Sequence, residues 1–96
     1  MADEDSTFSI RLMDKRQRPL SDRKITVFYS GMFSGWEDRY TGSDGWCEFP
    51  TFGRTWVKHI YSYMLFGFWA QKRSLVLAKD QKIFDGATLS FTIIDE

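Results

Sequence analysis

The chain has 96 residues, and its 13 basic and 13 acidic side chains cancel to a formal net charge of zero. That length suits a single domain, and zero net charge argues against a protein that tracks nucleic-acid phosphates, whose affinity comes from surplus Lys and Arg. A lone Cys precludes an internal disulfide and the lack of any Asn precludes N-linked glycosylation, so the core alone must hold the fold.

Residues 1–7 carry Asp3, Glu4 and Asp5 and read as a disordered acidic tail ahead of one domain over 8–95. They lack the positive start and apolar stretch of a secretory leader. The longest uncharged run, 59–71, falls short of the roughly 20 residues a membrane-spanning helix needs. A soluble cytoplasmic protein with no membrane contact is the expectation. Residues 8–12 (FSIRL) alternate apolar with polar, the two-residue period of a half-buried strand. Residues 14–20 (DKRQRPL) are charged, contain Pro19 and read as a turn. The β-branched and aromatic run 24–30 (KITVFYS) predicts a second strand, and the Gly-bounded segment 31–35 a loop. A third strand over 36–41 would put Trp36, Asp38 and Tyr40 on one face.

Gly42-Ser43-Asp44-Gly45 is the strongest local signal. Asp-Gly between strand-like runs marks a tight reversal, because Gly accepts positive φ without a Cβ clash. The returning strand, 46–50, has Cys47 and Phe49 on one face and Trp46 and Glu48 on the other. A longer fifth strand over 55–63 carries aromatic residues on both faces, which suggests a central position. Residues 64–70 (MLFGFWA) fit a strand, a bulged continuation or a buried helical turn. A short strand at 74–77, a turn at Asp85-Gly86 and a cleanly alternating last strand at 89–93 complete the chain. Seven short strands parted by turn signals predict an all-β protein, a small antiparallel or mixed Greek-key β-sandwich.

The order of these pieces resembles the transthyretin-like (prealbumin-like) sandwich. Within it, the carboxypeptidase regulatory-like and collagen-adhesin B-type modules are similar. The resemblance rests on Asp14 before the charged turn, Pro19-Leu20, the run Thr41-Gly42-Ser43-Asp44-Gly45-Trp46-Cys47-Glu48-Phe49, and the closing segment from Asp85-Gly86 to Phe91, which fits the last hairpin of those modules. It implies a fold rather than a chemistry, since these motifs report turns and inward residues. Arg18 stands where the pattern has Gly, and Met13 falls near the lysine that would form an internal isopeptide bond in such adhesins, so no such bond is expected. The related hydroxyisourate hydrolases need paired His and a carboxy-terminal Tyr-Arg-Gly-Ser. With one His and a closing Ile94-Asp95-Glu96, that activity is not expected.

Little else suggests catalysis. Cys47 reads as a small buried apolar residue, although His59 could meet it across the sheet as a nucleophile–base pair, the basis of a Cys-dependent enzyme. Glu37, Asp38, Asp44 and Glu48 flank the reversal and read as solvated charges rather than as an acid–base pair or calcium ligands. Segment 11–24 holds six basic residues and 71–82 four, which reads as guarding of strand edges, with an anionic partner as the alternative. The aromatic content is the outstanding feature. Fourteen of 17 aromatic residues lie between Phe28 and Trp69, more than a domain leaving about a third of its surface exposed can enclose. Phe33, Trp36, Trp46 and Trp56 are the candidates for an exposed contact surface. The expected function is non-catalytic binding or assembly, with a protein partner or a second copy as homodimer, and with no cofactor, metal or nucleic acid. Carbohydrate binding by stacking on the indoles is the alternative.

Overall fold

The computed structural model describes residues 6–31, 35–66 and 71–93. Seven strands and no helix occur among them: β1 (Thr7–Asp14), β2 (Lys24–Tyr29), β3 (Trp36–Tyr40), β4 (Trp46–Pro50), β5 (Trp56–Phe66), β6 (Gln71–Lys82) and β7 (Thr88–Ile93). They form a three-stranded mixed sheet, β4-β1-β7, and a four-stranded antiparallel sheet, β3-β2-β5-β6. The expected small all-β sandwich is the architecture observed.

Alternation fixes which faces meet. Phe8, Ile10 and Leu12 of β1, Cys47 and Phe49 of β4, and Ile93 of β7 face Ile25, Val27, Tyr29, Val57 and Ile60 of the larger sheet. Each is buried, and at about 25 cal/mol per Å² of apolar area this layer is the main source of stability. Phe8 and Phe49 stack with ring centroids 5.9 Å apart. Tyr29 spans the layers, its hydroxyl donating to the Pro50 carbonyl at 2.5 Å. β5 keeps its apolar parity only by a bulge. Phe28 pairs with His59 but Tyr29 pairs with Val57, so Lys58 is the extra residue and both Val57 and Ile60 turn inward.

Several elements depart from the sequence expectation. β1 begins at Thr7, inside the expected tail, because the Thr7 amide donates to Asp85 Oδ1 and the Thr7 carbonyl accepts from Gly86. The sixth strand is twelve residues long rather than four. Its charged half, Lys79 to Lys82, pairs with β5 as an edge where side chains reach water. The ambiguous 64–70 segment divides: 64–66 extend β5, whereas 67–70 lie outside the described residues. Finally, neither Asp-Gly reversal closes a hairpin. β3 and β4 belong to different sheets, as do β6 and β7. The backbone of β1 holds both turns instead: the Leu12 amide donates to the Gly45 carbonyl and the Ser9 amide to the Ala87 carbonyl, each at 2.9 Å.

The charged turn after β1 is built on Asp14. Its carboxylate accepts from the amides of Arg16 and Arg18 at 2.8 and 2.9 Å and from Arg18 Nε at 2.8 Å. These donors, the Arg18 amide foremost, hold the carboxyl below its usual range.

Candidate binding face

In β2 the inward set is Ile25, Val27 and Tyr29, so Lys24, Thr26 and Phe28 face away from the core. Register then assembles the outer face of the larger sheet. Phe28 lies between Trp36 of β3 and His59 of β5; Thr26 lies between Asp38 and Tyr61; Lys24 pairs with Tyr40. Tyr61 continues the second row to Val76 of β6. Every one of these strands therefore contributes an aromatic or apolar side chain to one outward surface.

The rings touch. Phe28 meets Trp36 at 6.1 Å and Tyr61 edge-on at 5.4 Å, and His59 lies 5.5 Å from Tyr61. Lys24 places its ammonium 5.2 Å from the Tyr63 ring centroid. Trp36 and Tyr40 are 64% and 62% exposed, and Val76 is 49% exposed. Polar groups beneath the rings are satisfied. The Thr26 hydroxyl donates to Asp38 Oδ1 at 2.6 Å, and the other Asp38 oxygen lies 3.7 Å from Lys24 Nζ. The face is thus rich in aromatic rings, internally braced and covered by nothing among the described residues.

Of the four candidate residues, Trp36 stands at one corner of this surface. Trp56, 40% exposed, opens β5 and lines an open depression of about 420 Å³ with Thr55, Asp80 and Lys82. Trp46 does not join them. It is half-buried on the outer side of the smaller sheet, its indole 5.7 Å from the Arg11 guanidinium carbon. Phe33 lies outside the described residues. The four candidates therefore do not make one patch, because Trp46 belongs to the smaller sheet and Trp36 and Trp56 to the larger one, and the two sheets of a sandwich turn their outer faces to opposite sides. The residues that do make a patch with Trp36 are Phe28, His59, Tyr61 and Tyr63. Their signal was the outward parity of two separate segments, KITVFYS and TWVKHIYSY, whose strands pair in the sheet.

The chemical candidates are separated. Cys47 faces the core from the smaller sheet, and burial pushes its thiol up to about 11 against the opposing pull of Arg39. His59 lies on the outer face of the other sheet, so the two form no nucleophile–base pair. The carboxylates disperse as well: Asp44 accepts the Trp46 amide at 3.0 Å, Glu37 lies 3.8 Å from Arg39, and Asp38 serves Thr26. Among the described residues no group of His, Cys, Asp and Glu is placed to hold a metal ion. No helix among them is long and apolar enough to cross a membrane. The sequence matches no protein-family model and no curated protein.

Proposed function

We propose that this chain is a non-catalytic binding module that takes a protein partner on the outer face of its four-stranded sheet. The observation that carries the reading is the contiguous surface of Trp36, Phe28, His59, Tyr61, Tyr63 and Tyr40. Folding needs one apolar face on each sheet, and the inner face already supplies it. A second face bearing Trp and Tyr adds nothing to the core. These residue types dominate the energetics of protein interfaces, where rigid rings bring large contact area at small entropic cost. Protein is favoured over carbohydrate because the rings are tilted or edge-on to one another, at 35° and 87°, and offer no coplanar platform for a sugar chain.

The turn motifs shared with transthyretin-like modules support a scaffold of that type. The reading as non-catalytic is supported by the inward Cys47 and its distance in the fold from His59.

The test is photo-crosslinking from position 40, where a benzophenone side chain replaces the exposed Tyr, in an extract of the source cells. The expected result is a discrete protein adduct that Trp36→Ser with Tyr61→Ser abolishes while circular dichroism stays native. Adducts unchanged by that double variant, or retention on a glycan array in place of adducts, refute the proposal.

A further inference from the structure

The sandwich has four strand edges, and three of them are protected. β3 carries Glu37, Asp38 and Arg39, and β4 ends in Pro50. These two edges adjoin, and Arg39 closes the gap by donating from Nη1 to the Glu48 carbonyl at 2.9 Å while lying over the Phe49 ring. β6 carries Lys79, Asp80 and Lys82, shifts register beside Tyr61, and has Asp80 at φ +49°. Charges, prolines and bulges of this kind are how sheets avoid pairing with a stray strand.

β7 has none of these devices. Its sequence, TLSFTI, contains no charge, no Pro, no Gly and no bulge. It pairs with β1 on one side only, so alternate amide and carbonyl groups point outward along its other side. A second observation points to the same place. Among the described residues, six apolar side chains lie against the core without being fully buried, and five of them, Leu75, Leu77, Ala78, Leu89 and Phe91, are on β6 or β7. The core is thus incompletely covered along the side where the two sheets stand open.

We infer that a second copy of this chain covers that edge through antiparallel pairing of β7 with β7 about a two-fold axis, making one six-stranded sheet. The occupant must be a strand with alternating apolar residues toward the core and small polar ones outward, and β7 itself has that pattern. With Ser90 on the axis, Thr88 faces Thr92 of the other copy on the outer side. Leu89 then faces Phe91 on the inner side, extending the apolar layer over its open margin. No like charges meet, and hydroxyl pairs and apolar pairs across strands each favour the contact. The contact is isologous, and with the remaining edges guarded it closes at a dimer rather than a fibre. It leaves the aromatic face free, so it is independent of the partner proposed above.

Sedimentation velocity across a wide concentration range tests the inference. The native chain is expected to reach twice its 11.3 kDa monomer mass. Thr88→Lys with Thr92→Lys is expected to be monomeric with unchanged circular dichroism, since both positions are exposed. Thr88→Glu with Thr92→Glu is expected to be monomeric too, and an equimolar mixture of the two double variants is expected to recover the doubled mass. Trp36→Ser is expected to remain dimeric. A native chain that stays monomeric at millimolar concentration overturns the inference. So does a dimer that survives both charge variants, a mixture that fails to associate, or a dimer lost on Trp36→Ser.

Discussion

Gly45 and Gly86 each follow an Asp at a reversal, Asp44 and Asp85, and both have φ of +82°. Their surroundings differ. A Cβ on Gly45 would lie 2.6 Å from the Leu12 carbonyl oxygen and 3.1 Å from Pro19 Cβ, whereas a Cβ on Gly86 meets nothing within 4 Å. Alanine at either site incurs the left-handed penalty of about 1–2 kcal/mol, partly offset by about 0.4–1 kcal/mol from a less flexible unfolded chain. Gly86→Ala should therefore cost about 1 kcal/mol. Gly45→Ala must also displace the Leu12 carbonyl, which accepts the Leu20 amide at 3.0 Å. Overpacking of that kind adds about 1–3 kcal/mol, for a total near 3 kcal/mol. Urea denaturation followed by tryptophan fluorescence measures both, and equal slopes for the two variants keep the comparison clean. In a domain of this size the gap corresponds to roughly 8–16 °C in melting temperature. Equal losses, or a larger loss at Gly86, would refute the claim that close approach of β1 to the first turn, and not φ alone, makes Gly45 necessary.

Tyr29→Phe removes the hydroxyl that links β2 to the end of β4 and leaves the Pro50 carbonyl without that donor. The expected loss is about 1–2 kcal/mol by denaturant titration, and an unchanged midpoint would show that the link contributes nothing. Cys47 gives the pH dependence. Its folded thiol keeps its proton up to about 11, whereas an unfolded thiol ionises near about 8.5. The unfolded state therefore binds fewer protons between those values, and stability falls as pH rises through that window. Cys47→Ala should flatten that part of the profile. In the same way, iodoacetamide at neutral pH should modify Cys47 at the rate of unfolding, and native-state labelling as fast as in urea would contradict its burial.

Strand parity was the part of this fold most legible in the sequence. Phe8, Ile10 and Leu12, or Cys47 against Trp46, could be assigned to faces because alternation records burial directly. Pairing was less legible. The Asp-Gly signals locate reversals correctly but carry no information on whether the flanking strands share a sheet, and here β1 intervenes by taking both neighbours for itself. The length of β6 was hidden because an edge strand places Lys and Gln where a loop would also have them. The candidate face was half visible. Trp36 and Tyr40 follow from the parity of β3, but Phe28 and Tyr61 join them only through register, which is a property of two strands together.

The two outer faces of the sandwich show why the aromatic surface calls for an explanation beyond folding. The smaller sheet presents Ser9, Glu48, Thr88, Ser90 and Thr92 outward, and its one large ring, Trp46, lies against Arg11. That face is finished as a solvent boundary usually is, with small polar side chains and a ring shielding an apolar stem. The larger sheet belongs to the same domain and shares the same core, so folding makes the same demand of it. It nevertheless keeps Trp36, Tyr40 and Val76 largely in water. Ring contacts of Phe28 with Trp36 and Tyr61 brace this face from within. A surface braced in this way would lose less entropy on binding than one that must be assembled, which supports the contact role proposed for it.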